Sequence, residues 1–278
     1  MRKFQRFLSI PVLGVFLLMG FVYYVTVFVF IEDWVGLRSS AGALNALIFS
    51  FLASLCIFSF SVCVVTDPGY VPSSYVPDVE DSGISGQEPT KNGAAMRHCD
   101  KCSAYKPPRT HHCRVCRRCI LRMDHHCLWI DNCVGHLNYK AYFVFILYVT
   151  LGSIYSTVMI IIFAFQKNSD YYSGRIYMKV FLIACGAMMV ALSITLGTLL
   201  CWHIYLMTHN MTTIEYYEGV RAAWLARKSG QSYRHPFDHG VYKNISLVLG
   251  PNMLKWLCPT EINHLKDGIS FPTLRDSS

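Results

Sequence analysis

Four stretches of this 278-residue chain, residues 10–31, 43–65, 141–165 and 180–207, are strongly apolar and contain no Lys, Arg, Asp or Glu. A helix of roughly 20 such residues crosses a bilayer, and inside lipid a helix satisfies its own backbone hydrogen bonds. The expected fold class is therefore an all-α integral membrane protein with four transmembrane helices. Arg2, Lys3 and Arg6 before the first stretch raise the alternative of a cleaved signal peptide. That stretch outruns the roughly 7–15 residues of a signal core and no small-residue cleavage site follows it, so it reads as an anchor. Charged residues make up only 15% of the chain and the mean hydropathy is +0.32. A soluble protein carries about 25% charged residues.

The basic residues orient the helices. Of 25 Lys and Arg, three precede the first stretch, ten lie between the second and third, and eight follow the fourth. One lies between the first and second, and three between the third and fourth. The positive-inside tendency puts both termini and the long central segment in the cytosol. The net charge of +8 then belongs beside the anionic inner face of a membrane rather than on nucleic acid. No ion-transport path is marked, because the spans carry no charge. Two sequons, at Asn210 and Asn244, are expected to stay unglycosylated in this orientation.

The expected organisation is a cytosolic N-terminus (1–9), two spans (10–65), a linker rich in Pro, Ser and Gly (66–97), and a Cys-rich domain (98–140). Two further spans (141–207) and a cytosolic C-terminal region (208–278) complete it. The linker opens on Asp67-Pro68-Gly69, a turn that cannot continue a helix. The C-terminal region carries a short helix near 212–227 and an apolar cluster, Met253 to Leu257, suited to lying on the membrane surface. Its last twenty residues are polar and expected to be loose.

Seven of the twelve cysteines crowd between Cys99 and Cys133. A cytosolic location argues against disulfides, and the domain has no helical apolar period, so metal must replace its missing core. Cys99-x2-Cys102 and Cys113-x2-Cys116 each put two thiolates on a tight turn, as tetrahedral zinc requires. Two such sites need eight ligands, which six Cys and two His supply, leaving one thiol over. Spacing alone does not say which. Only Cys127 directly follows Asp124-His125-His126, where a base and an orienting acid stand beside it. A purely structural finger with Cys127 as a ligand stays open on spacing alone.

These residues resemble the Asp-His-His-Cys (DHHC) family of protein S-acyltransferases, the integral-membrane palmitoyltransferases. The likeness runs through Arg97-His98-Cys99, Lys106-Pro107-Pro108-Arg109, His111-His112-Cys113, Met123 to Trp129, and Asn132-Cys133-Val134-Gly135 with Asn138. It takes in Asp67-Pro68-Gly69, Thr212-Thr213-Ile214-Glu215, and the stretch around Tyr242, Asn244 and Gly250. The resemblance implies a cytosolic zinc-bound domain between helices 2 and 3, with two structural Zn2+ ions. One is held by Cys99, Cys102, His112 and Cys119, the other by Cys113, Cys116, His126 and Cys133. It implies Cys127 as nucleophile, His125 as base and Asp124 as the residue that orients the base. Thr213 becomes a partner for Asp124 and Asn244 a brace between the C-terminal segment and the spans. Read without the resemblance, Thr212 simply caps the following helix with Glu215 as capping-box partner, and both readings can hold at once.

The activity so implied is ping-pong S-acylation, with palmitoyl-CoA (acyl-CoA) as donor and cysteines of membrane-associated proteins as acceptors. The setting implied is an endomembrane: Golgi, ER or plasma membrane. The alternative is a catalytically silent zinc-bound scaffold, whose mark would be a replaced Cys127 or His125. A membrane site suits a fatty donor, since exposing roughly fourteen methylenes to water costs on the order of 11 kcal/mol. Small and hydroxylated span residues (among them Gly14, Ser50, Gly152 and Ser156) suit either an acyl cavity or close helix packing. Arg109, Arg114, Arg117, Arg118 and Arg122 read as a solvated basic surface or as phosphate contacts, and His136 and His203 as interfacial residues.

Overall fold

The computed structural model describes residues 2–77, 97–166 and 176–273. Most of the expected linker, the link between the third and fourth spans, and the last five residues lie outside the described residues.

Four helices are long and apolar enough to cross a membrane: Ile10–Val35, Ser40–Val65, Tyr139–Phe165 and Ile176–Thr208. Each outruns its uncharged stretch, because helical hydrogen bonding continues past the apolar core into charged ends at Glu32, Asp33, Lys140 and Lys179. Gly36, at φ 74°, stops the first span, and the Ser39 hydroxyl caps the second by accepting from the Gly42 N–H at 2.9 Å. In the first span Val25–Ile31 widens into π-helical turns. There the Thr26 hydroxyl meets the Val22 carbonyl (2.7 Å) and Ser156 (2.8 Å), an intrusion of the kind that loosens a helical ladder. Other side-chain bonds tie the spans together, Tyr155 to Asn45 (2.6 Å) and Thr157 to Ser193 (2.9 Å). Leu17, Phe51, Ile154 and Ile183 stay exposed on the outer faces, as suits residues that meet lipid.

Between the second and third spans the Cys-rich domain is a stack of three short antiparallel hairpins. They pair β1 (His98–Cys99) with β2 (Ala104–Tyr105), β3 (His111–Cys113) with β4 (Arg118–Ile120), and β5 (His125–Cys127) with β6 (Asn132–Val134). The Asp67-Pro68-Gly69 turn is clipped to this stack. Leu121 N–H donates to the Gly69 carbonyl, Leu137 N–H to that of Pro68, and Arg118 pairs with Asp67 at 3.1 Å. Asn132 reaches back to the carbonyls of Cys63 and Thr66 at the end of the second span. The start of the linker, Asp67 to Gly69, is thus anchored to the Cys-rich domain.

After the fourth span, Thr212 caps the helix Thr213–Lys228 through the capping box with Glu215. A second helix, Val241–Leu249, packs across the ends of the third and fourth spans. Asn244 fastens it: its amide donates to the carbonyl of Thr208 (2.7 Å) and to Asp238 (2.6 Å), and its oxygen accepts from the His239 N–H. The described residues beyond it are not loose. Lys140, fully buried at the start of the third span, donates to the carbonyls of Leu249, Lys255 and Glu261 at 2.8–3.0 Å. His264 holds the carbonyl of Val248, and His136 that of Lys266.

Candidate active site

Side chains on a strand alternate between its two faces, and this period sorts the Cys/His block. His112 pairs across its hairpin with Cys119, and His126 across its own with Cys133. Each pair faces the Cys-x2-Cys turn of the preceding hairpin. Cys99, Cys102, His112 and Cys119 therefore form one cluster, and Cys113, Cys116, His126 and Cys133 the other. The neighbours His112 and Cys113 point opposite ways and serve different clusters, which is why the two sites interleave in sequence.

Both clusters fit zinc. Tetrahedral bonds of about 2.3 Å to sulfur and about 2.05 Å to nitrogen place S···N near 3.6 Å and S···S near 3.8 Å. The first cluster has S···N separations of 3.5, 3.2 and 3.9 Å from His112 Nδ1 and a Cys102–Cys119 separation of 3.8 Å. The second has 3.7, 3.5 and 3.5 Å from His126 Nδ1 and 3.5 Å between Cys116 and Cys133.

The same alternation turns His125 and Cys127 to the face opposite His126. Cys127 lies in neither cluster. It is buried in the apolar layer formed with Val12, Phe60, Cys63 and Tyr142, where three spans meet the Cys-rich domain. Leu128–Ile130 forms a 3₁₀ turn behind it, closed by Asp131 in the left-handed region (φ 46°), and this turn carries the chain into β6.

Asp124, with no exposed surface, receives three hydrogen bonds. The Thr213 N–H meets Oδ1 (2.9 Å), while the Thr213 hydroxyl (2.9 Å) and His125 Nδ1 (2.7 Å) meet Oδ2. Burial pushes the Asp124 carboxyl up, but His125 and the other donors hold it below the usual carboxylate range. Burial also works against a charged His125. Hydrogen bonds to Asp124 and Cys127 overcome it and hold the imidazole up to about 9. The imidazolium produced when the ring takes a proton is therefore the stabilised form. Tyr142 meets the His125 ring edge-on at 5.2 Å, and His203 lies 6.1 Å from it while accepting or donating a 3.1 Å bond to the Tyr139 hydroxyl. His203 is buried beside the site.

A buried cluster braces this arrangement from below. Arg109 grips both oxygens of Glu215 (2.6 and 2.7 Å) and the Asn210 carbonyl (2.7 Å), and Arg122 donates to the Asn210 side chain (3.0 Å). Both guanidiniums are buried, which corrects the expectation of a solvated basic surface for them. Arg114 and Arg117 are exposed as expected. Burial lowers Arg122 to about 10; burial also opposes ionisation of Glu215, but Arg109 holds that carboxyl down to about 2. Asn210 and Asn244, the two sequon residues, are buried and hydrogen-bonded.

The comparisons agree on one family. Residues 93–220 match the DHHC palmitoyltransferase family. Probable protein S-acyltransferase 15 of Arabidopsis thaliana is 68% identical over 259 residues, covering 93% of this chain and all of the relative. Probable protein S-acyltransferase 16 of the same plant is 50% identical over 97% of this chain and 94% of its own length. Palmitoyltransferase ZDHHC2 of Homo sapiens is 34% identical over 64% of this chain and 47% of its own length. Four apolar spans, two Cys3His clusters between the second and third, and similarity along the full length together decide the assignment: the chain is a multi-pass membrane protein that belongs to the DHHC palmitoyltransferase family of protein S-acyltransferases.

Proposed function

We propose that this chain transfers fatty acyl groups from acyl-CoA to protein cysteines through a thioester on Cys127. The observation that carries the reading is the hydrogen-bonded chain from Thr213 through Asp124 to His125, beside a Cys127 that lies outside both Cys3His clusters in an apolar layer.

Asp124 holds His125 by its Nδ1, which leaves Nε2 to take the proton of the Cys127 thiol. The thiolate sulfur attacks the carbonyl carbon of the donor thioester. The carbon–sulfur bond to coenzyme A breaks, and the departing thiolate recovers the proton from the imidazolium. The half-reaction then runs again with an acceptor cysteine, whose thiol gives its proton to His125 and whose sulfur displaces Cys127. One thioester replaces another at each step, so no nucleotide hydrolysis is needed. Bound zinc would supply rigidity, with all four ligands at each site coming from Cys and His side chains. The acyl chain of the intermediate stays among apolar side chains instead of in water.

The charge asymmetry of the chain supports a cytosolic face for this site and for both termini. An endomembrane with palmitoyl-CoA as donor is the setting that the family likeness favours. The intact Asp124–His125–Cys127 set favours an enzyme over a silent scaffold. The test is Cys127→Ala in purified full-length protein. Acyl transfer is expected to vanish while zinc content stays near two ions per chain. Loss of a zinc ion together with activity would make Cys127 a ligand and end the reading.

A further inference from the structure

A pocket of about 500 Å³ lies on the same side of the spans as the Cys-rich domain, and Asp124, His125 and Cys127 do not line it. Arg109, Arg122, Lys243 and Lys266 line it, with His136 and His264, and no Asp or Glu does. Its walls come from the Cys-rich domain, from the helix that packs on the span ends, and from the C-terminal strap through Pro272.

One buried group there is only partly satisfied. Arg122, 6% exposed, donates to the amide oxygen of Asn210 and rests over the Tyr139 ring. Among the described residues no carboxylate bonds it directly: Glu215, held by Arg109, and Asp124, held by Thr213 and His125, act on its charge only across a gap. A buried guanidinium without a directly bonded carboxylate is costly. That cost falls if an anion with several acceptor oxygens sits in the pocket. Lys243 and Lys266 stand exposed at its rim, where they would meet further negative charge.

We propose that this pocket is a ligand site, separate from the acyl-transfer site, for a polyphosphorylated headgroup. Phosphate fits better than a lone carboxylate, because the forked guanidinium and two ammonium groups offer more donors than one carboxylate can accept. The pocket lies where the helix Val241–Leu249 packs on the spans, within reach of a lipid headgroup as well as of a free phosphorylated inositol. Bound there, the headgroup would fix the strap against Arg122, two residues from Asp124.

The test uses full-length, zinc-loaded protein in nanodiscs of neutral lipid. Inositol trisphosphate is titrated as the free probe. Phosphatidylinositol bisphosphate is then incorporated as the lipid probe, against phosphatidylserine at matched charge. The expected result is saturable binding of at least one probe, weakened about ten- to thirtyfold in Lys243→Ala/Lys266→Ala, as loss of two ammonium contacts implies. The variant should keep its zinc and an unchanged KM for acyl-CoA. Binding of the lipid alone or of the free headgroup alone identifies the source, and either supports the site. Absence of binding to both, binding equal to that of phosphatidylserine, or binding that the double variant leaves unchanged overturns it. Displacement of the probe by coenzyme A, or a raised KM for acyl-CoA in the variant, also overturns it, since the pocket would then serve the donor.

Discussion

Arg109, Arg122 and Asn210 all adopt left-handed backbone (φ 63°, 42° and 48°), a conformation uncommon outside glycine. They hold it because each is fastened to the others or to Glu215. Sequence alone reads the two arginines as a solvated surface or as phosphate contacts, since their partners stand about ninety to a hundred residues away and no local pattern announces them. The place of His203 beside His125 was not legible for the same reason, being set by how the fourth span packs on the Cys-rich domain. Cys127 stood out through ligand counting and its neighbours; strand alternation, visible only once the hairpins are known, explains why adjacent His126 faces a cluster that fits zinc and Cys127 does not. Glu215→Gln leaves Arg109 buried without its counter-charge and should cost about 3–5 kcal/mol near neutral pH. The folded-state Glu215 carboxyl lies near 2, below its ordinary 4.5. Its stabilisation is therefore present above about pH 4.5 and is lost as pH falls toward about 2. Denaturant unfolding of both proteins across that range should show the gap shrinking below about pH 4.5, and zinc loss, common to both, cancels in the difference. A gap that stays constant to about pH 3 would contradict the pairing.

At the scale of elements, the four spans and the Cys-rich domain were readable because apolar length and Cys/His spacing are local signals. Their ends were not, because helical hydrogen bonds run past the apolar core and so place Lys140 inside the third span. That lysine is the clearest case. It begins a membrane helix, yet its ammonium is satisfied by three carbonyls of the C-terminal segment, one of which, Glu261, lies in the last twenty residues that polar composition alone suggests are loose. Lys140→Met keeps the length of the side chain and removes the donors. Hydrogen exchange is expected to rise across residues 249–266 while zinc content stays unchanged. Exchange that stays at the wild-type level there would show that the three bonds do not hold the segment.

In the whole molecule, the Cys-rich domain has almost no apolar core of its own, and its third hairpin carries the site. Zinc, the Asp124–Thr213 bonds and the end of the fourth span therefore form one connected support. Stripping metal with a chelator should abolish acyl transfer and expose the 97–140 region to protease, leaving the spans helical by circular dichroism. Retained transfer after loss of both metals would refute a structural role for them. The proposed orientation in the membrane rests on charge counts alone; the brace that joins the C-terminal strap to the Cys-rich domain was not legible, because it is built from contacts distant in sequence.

The central claim is that one sulfur, kept off the metal by strand alternation, carries the acyl group. Intact-mass and peptide-mass analysis of purified protein after a brief exposure to palmitoyl-CoA tests it most directly. A single hydroxylamine-sensitive palmitoyl group on the peptide that contains Cys127, with zinc retained, is the predicted result. A palmitoyl group confined to other cysteines, with Cys127 unmodified, would contradict the account.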